Sequence, residues 1–218
     1  MTLNVEEMII GILGGTGDQG RGLARRFAMA GNRVIIGSRS AERARAAATE
    51  IGHGVQGMTN QDTVGDAQIV IAAVPWEGHA ELLAALAPQL AGKVVVDCVN
   101  PLGFDSRGAY SLSVAEGSAA QQAAALLPHS TVVAAFHHVS AKLLLDPEVD
   151  AVDLDVLVLG DDREATDLVQ TLAGRIPGVR GIYGGRLRNA GQIEALTANL
   201  VSINRRYKAH AGLRITDI

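Results

Sequence analysis

The 218-residue chain has one cysteine, only 3% aromatic residues, and no apolar run approaching the roughly 20 residues that span a bilayer. Cys98 alone cannot close an internal disulfide or furnish a cysteine-rich metal site. So few aromatics cannot build the stacking platforms on which single-stranded nucleic acid is held. Charge of one sign is also lacking: 19 basic against 23 acidic residues leave a formal net charge of −4. The chain therefore has no general attraction to nucleic acid or anionic membrane, and any anionic ligand has to be caught by local groups. The N-terminal MTLNVEEMII carries acids where a secretory leader carries Lys or Arg, so the cytoplasm is the expected setting.

What the chain has instead is 48% hydrophobic residues and 25 glycines dispersed among short aliphatic runs. Those runs alternate with Ala/Leu-rich segments, the pattern of buried parallel strands joined by covering helices. Strands are expected at 8–13, 33–36, 55–58, 69–74, 94–99, 131–136, 156–159 and 179–183. Few alternate apolar and polar residues, as strands covered on both faces should not. The expected fold is α/β: a Rossmann-type, doubly wound, mostly parallel sheet with helices on both faces and a small C-terminal α/β extension.

The first helix is expected over 20–30, with Leu23 and Phe27 facing the sheet, Arg21, Arg25 and Arg26 turned outward, and Gly31 as a left-handed cap. Ser40 caps the second helix, and further helices are expected over 118–127 and 190–210. In the last, Ile193, Leu196, Leu200, Ile203 and Tyr207 recur every three or four residues. That stripe either packs on its own chain or forms the seam of a homodimer. The longest irregular stretch, 100–117, follows a strand end, where loops border ligand sites.

The first strand runs into Gly14-Gly15-Thr16-Gly17-Asp18-Gln19-Gly20 and then into a helix. Glycines at 14, 17 and 20, or at 15, 17 and 20, supply the tight turn, the close backbone approach to a pyrophosphate, and close helix–strand contact. Free amides at the helix start face the anion. At the end of the second strand, an NAD-specific site would place an acid on the ribose; this chain has Gly37-Ser38-Arg39, with Arg43 one turn on. A hydroxyl and two guanidiniums suit a 2′-phosphate, so NADP is the expected dinucleotide. Glu42 lies close enough to soften that field.

After the fourth strand comes Val74-Pro75-Trp76-Glu77, where nicotinamide normally lies, and after the sixth comes Phe136-His137-His138-Val139-Ser140. Adjacent residues of an extended chain point to opposite sides, so the two histidines do not clasp one metal, and no metal site is expected. Either histidine could donate to an anionic ligand or sit hydrogen-bonded at a strand end. Cys98 reads as a small buried hydrophobe.

The segments GGTGDQG, VIIGSR, VPWE and the His137 region, in this order and spacing, resemble the reduced coenzyme F420:NADP oxidoreductases over nearly the whole chain. The resemblance implies reversible hydride transfer between nicotinamide C4 and C5 of an 8-hydroxy-5-deazaflavin, with NADP and coenzyme F420 as the two redox partners. It implies that Gly14, Gly15, Thr16, Gly17, Asp18 and Gln19 hold the pyrophosphate, and that Ser38, Arg39 and Arg43 hold the 2′-phosphate. It further implies that Val74 and Pro75 back the nicotinamide, and that His137, Val139 and Ala141 line the deazaflavin, with Thr197 nearby and Gly212 and Leu213 closing the pocket. The oxidised deazaflavin carries a delocalised anion that His137, the expected catalytic residue, or a backbone amide would stabilise. The implied division is 1–138 for the NADP-binding domain and 139–218 for a small lobe completing the deazaflavin pocket. Relative to the family pattern, Asp18 and Gln19 replace Asn and an aliphatic residue, Arg43 replaces Lys, and His138-Val139-Ser140 replaces Thr-Ile-Pro. Rival readings are a hydroxyacid dehydrogenase, which needs a large helical second domain, a membrane-tethered flavin or ferric reductase module, and a non-catalytic NADP sensor.

Overall fold

The computed structural model describes residues 4–218. A short 3₁₀ turn precedes β1 (Ile9–Leu13), which leads through the glycine loop into α1 (Asp18–Met29), β2 (Arg33–Ser38), α2 (Ala41–Ile51) and β3 (Gln56–Thr59). There follow α3 (Asn60–Asp66), β4 (Ile69–Ala72), α4 (His79–Leu90) and β5 (Val94–Asp97). A hairpin of β6 (Leu102–Asp105) and β7 (Gly108–Ser111) intervenes before α5 (Ala119–Leu126), β8 (Thr131–Ala134) and α6 (Ala141–Leu145). The chain ends through β9 (Leu154–Gly160), α7 (Arg163–Ala173), β10 (Val179–Gly185) and α8 (Ala190–Tyr207).

Eight strands form one sheet in the order β10-β9-β8-β5-β4-β1-β2-β3. All neighbours are parallel except β8 and β9, which pair antiparallel, so β9 and β10 run against the other six. The doubly wound, mostly parallel fold expected from the sequence is present. Along β4, Ile69 and Ile71 join the core under α1, α2 and α7, while Val70 and Ala72 join the core under α4 and α5. Burial on both faces is why these strands read as uninterrupted aliphatic runs.

Leu23 and Phe27 of α1 are fully buried, as expected, and Gly31 has the positive φ of a left-handed cap. The Phe27 ring meets Phe136 edge-on at 5.9 Å. The outward placement of Arg26 is corrected: it is 1% exposed. Its guanidinium donates to the carbonyls of Leu143, Leu144, Asp146 and Val149 at 2.6–3.2 Å. Periodicity put this charge on the solvent side, but α6 and the loop after it cover that side and turn their backbone oxygens toward it.

The irregular stretch after β5 is also corrected, because it contains the β6–β7 hairpin. Asp105 Oδ1 accepts from the amides of Arg107 and Gly108 and so tightens the turn. The half-exposed strands carry no apolar alternation by which they could be read. The last helix stops at Tyr207, three residues earlier than expected, with Lys208 left-handed after it. The eight strands of the main sheet lie where the aliphatic runs placed them.

Removing the Arg26 guanidinium leaves four carbonyls without their donor. Arg26→Ala is therefore expected to lower stability by about 2–4 kcal/mol, read as a fall in the urea midpoint.

Candidate active site

The glycine loop adopts the shape its residues permit. Gly14 has φ +69°, and a Cβ there would lie 2.6 Å from Val74 Cγ1. A Cβ on Gly15 would lie 2.5 Å from Ile36 Cβ, and one on Gly20 would lie 2.8 Å from Gly15 Cα. Gly17 differs: a Cβ there would meet nothing nearer than the Gly14 carbonyl oxygen at 3.6 Å. Its open side faces the space a ligand would fill, and it directly precedes the first turn of α1, whose amides point at that space.

This space is a cavity of about 910 Å³. It brings together Gly14, Thr16, Gly17, Asp18 and Gln19 of the loop, Ser38, Arg39 and Arg43 after β2, and Val74 and Pro75 after β4. Gly15 is not part of its lining; it packs on Ile36, and its amide donates to the Gly37 carbonyl at 3.0 Å. Arg39 and Arg43 are exposed, whereas Ser38 is buried and accepts from the Ser40 amide at 3.3 Å. Ser40 caps α2 as expected. Asp18 lines the cavity, and Glu42 does not.

Several contributors were not read from the sequence, Asn60, Glu81 and Leu82 among them. Asn60, at the carboxyl end of β3, lines the cavity, and its buried Oδ1 accepts no hydrogen bond from a described residue. Glu81 and Leu82 of α4 form the opposite wall. Asn60 could have been found from its place at a strand's carboxyl end, the edge on which such folds bind ligands; the α4 residues carry no local signal. An open glycine, an orphaned acceptor and two guanidiniums at one end fit an extended, phosphate-bearing dinucleotide.

His137 and His138 lie outside this cavity's lining, and both are buried at 3% exposure. The two connect to the loop nonetheless, because Gln19 Nε2 donates to the carbonyl of Phe136 at 3.2 Å. Neither ring nitrogen of His137 makes a hydrogen bond of normal geometry with a described residue, although the Cys98 and Val99 backbones lie close enough to favour its protonated form. Burial pushes the His137 imidazole down to about 4, and burial together with the neighbouring His137 does the same to His138. Both rings are neutral at physiological pH. His138 Nε2 accepts from the Leu157 amide at 3.3 Å, the strand-end role. The His137 carbonyl accepts from Asn100 Nδ2 at 2.8 Å and from Thr197 Oγ1 at 3.3 Å, so Thr197 does meet the His137 segment.

Val139 is buried beside these histidines, and Ala141 begins α6. Gly212 and Leu213 lie against β9: a Cβ on Gly212 would touch Leu154, and the Leu213 carbonyl accepts from the Asp155 amide at 2.8 Å. Buried Asp155 fastens this tail. It takes a two-pronged bond from Arg180, 2.6 and 2.7 Å, together with donors from Arg214 and the Ile215 amide, and Arg180 holds its carboxyl below the usual range.

Beneath the carboxyl end of β5 lies a buried polar group. His79 Nε2 and Asp97 Oδ2 are 2.6 Å apart with no exposure on either side chain. Burial lowers the His79 imidazole, but the bond and charge attraction to Asp97, together with Gln122 and the Glu194 carboxyl, hold the ring above its usual range. Asp97 Oδ1 also accepts from the Val99 amide, fixing the strand end that carries Asn100. Glu194 of α8 accepts from the amides of Ala119 and Ala120 at the start of α5, and burial lifts its carboxyl to about 7. Cys98 is buried, and burial raises its thiol, in keeping with a packing role. Among the described residues no cluster of three or more potential ligands could hold a metal ion, and no helix is long and apolar enough to cross a membrane.

A mostly parallel doubly wound sheet with this loop and a guanidinium-lined end defines an NADP-dependent oxidoreductase of the Rossmann type. Comparison with known proteins gives the family. Residues 9–101 match the model for the NADP oxidoreductase, coenzyme F420-dependent, family. The chain is 40% identical over 228 aligned positions to an F420-dependent NADP reductase of Methanothermobacter thermautotrophicus, covering 99% of this chain and 98% of that one. It is 39% identical to the one of Methanocaldococcus jannaschii, covering 97% and 99% of the two chains. A crystal structure of a proposed F420-dependent NADP-reductase from Arthrobacter superposes with a TM-score of 0.83 at 29% identity, covering 96% of this chain and all of that one. The chain belongs to the F420-dependent NADP reductase family.

The glycines separate folding from binding. Gly17→Ala is expected to fold with near-normal stability yet lose at least about tenfold in NADPH affinity, because its methyl occupies ligand space. Gly15→Ala is expected to lower the melting temperature instead, since Ile36 has to move. Thermal unfolding and NADPH fluorescence titration of both variants check this.

Proposed function

We propose that this protein transfers a hydride reversibly between NADP(H) and coenzyme F420. When bound, the nicotinamide and the deazaflavin supply and accept the hydride at C4 and C5. The chain's task is to hold the two rings in contact at about 3–3.5 Å and keep water out. Gly14 to Gln19 cradle the pyrophosphate, Ser38, Arg39 and Arg43 grip the 2′-phosphate, and Val74 and Pro75 back the nicotinamide. His137 contributes as a neutral N–H donor to the deazaflavin, and Val139, Ala141, Thr197, Gly212 and Leu213 form the walls around that ring. In this reading residues 1–138 carry the dinucleotide and 139–218 complete the second pocket.

The observation that carries the reading is the Gln19–Phe136 hydrogen bond, which joins the dinucleotide loop to the residue before His137. The buried His137 ring makes no hydrogen bond of normal geometry with a described residue, which supports a role for it toward a second ring. NADPH mixed with oxidised coenzyme F420 and the purified protein should bleach the deazaflavin absorbance. Arg39→Ala should raise KM for NADPH by about tenfold or more and leave the weaker use of NADH nearly unchanged. NADPH binding without bleaching would instead make the protein a dinucleotide sensor.

We further propose a cytoplasmic homodimer that engages small redox coenzymes and no nucleic acid. Its seam is the outward stripe of α8, where Ile203 is 39% and Tyr207 73% exposed. Light scattering should give about twice the chain mass of 22.7 kDa, and the Ile203→Asp/Tyr207→Asp variant should give a monomer.

A further inference from the structure

A second cavity, of about 570 Å³, lies between the β6–β7 hairpin and the C-terminal half of α8. Arg107 of the hairpin turn and Arg205 and Arg206 of α8 line it, with the Ser202 hydroxyl, the Phe104 ring and a single acid, Asp105. Three guanidiniums face one carboxylate in a chain whose formal net charge is −4. Asp105 is already committed. One of its oxygens accepts from two turn amides at 2.7 and 3.2 Å, and Arg107 reaches the other only at 3.4 Å. Arg205 and Arg206 make no ion pair with a described carboxylate. Cations at a helix C-terminus are favourable on their own account. That explains Arg205 and Arg206 but not Arg107, which a different element brings to the same cavity.

The cavity is tied to the deazaflavin side of the site by two routes that start at one atom. The His137 carbonyl oxygen accepts from Asn100, and β6 begins two residues after Asn100 and runs to Phe104 and Asp105. The same oxygen accepts from Thr197, and Val201 and Arg205 follow Thr197 at successive i+4 steps along α8. Eight residues of helix span about 12 Å. Arg205 thus lies about that far along α8 from Thr197, and about 160° around the helix from both Ile203 and Tyr207. Arg206, only about 60° from Ile203, borders the stripe assigned to the dimer.

We propose that this cavity is an anion subsite that receives the acidic tail of the deazaflavin coenzyme, a flexible chain carrying a phosphodiester and γ-linked glutamate carboxylates. Guanidinium forks match phosphate and carboxylate geometry, and several such contacts add along a chain tethered by its ring. The subsite rests on the hydride-transfer reading. It deepens that reading by giving the protein a means to prefer the complete coenzyme over its tail-less form.

The test needs no turnover. Fluorescence titration measures binding of two probes, coenzyme F420 and the deazaflavin ribityl alcohol that lacks phosphate and glutamates, to the wild type and to Arg107→Ala/Arg205→Ala. The wild type is expected to bind the tailed coenzyme about tenfold more tightly at low salt, and the variant to lose that preference while keeping its affinity for the tail-less probe and for NADPH. Salt at about 0.5 M should erase the preference in the wild type as well. Arg107→Lys/Arg205→Lys should recover part of it, because the charge returns without the fork. Equal wild-type affinity for the two probes, or a variant that weakens both alike or neither, overturns the subsite alone. A wild type that binds neither deazaflavin overturns the hydride-transfer reading, and the subsite with it.

Discussion

The site depends on one close approach: the backbone of the turn between β1 and α1 pressed against the neighbouring strands. Where a Cβ on Gly14 would collide with Val74 and one on Gly15 with Ile36, the absence of side chains lets the turn seat between β2 and β4. That seating fixes the axis of α1. The helix start then faces the large cavity, and its far end carries Arg26 into the carbonyls of α6 and the loop after it. One rigid element therefore positions both the dinucleotide loop and the segment beyond β8. Phe27 against Phe136 and Gln19 against the Phe136 carbonyl complete the coupling.

Much of this was legible because it is local. The eight strands of the main sheet are short aliphatic runs, and a strand buried on both faces leaves that mark whatever its partners are. The glycine loop, Ser38, Arg39 and Arg43 were legible for a similar reason: each occupies a fixed offset from a strand end, and chemistry at that offset is constrained by the ligand's own shape. What was not legible depends on pairings across the chain. Nothing near Arg26 announces that four carbonyls from residues 143–149 will surround it. His79, Asp97 and Glu194 read as ordinary polar residues until β5, α4 and α8 bring them into one buried region. The hairpin escaped notice because its stability comes from an Asp105-braced turn and from α8, not from its own apolar pattern.

Buried polar groups of this kind are costly unless each finds a partner, and here most do. Asp97 is met by His79 and the Val99 amide, Asp155 by two arginines and an amide, and Glu194 by two helix-start amides. Among the exceptions are Asn60 Oδ1 and the two nitrogens of His137, with Arg21 Nε, Arg25 Nε, Gln89 Oε1 and His138 Nδ1 elsewhere. Of these, Asn60 Oδ1 belongs to a residue that lines the large cavity, where a ligand's donor could meet it.

The bond from Gln19 to the Phe136 carbonyl has a bearing on redesign. The residues proposed to choose between phosphorylated and unphosphorylated ribose sit at the β2 end of the cavity, whereas Gln19 lines the cavity and also bonds the Phe136 carbonyl next to His137. An engineer can exchange the adenosine-end residues as a separable module. Altering Gln19 would disturb two recognition problems at once.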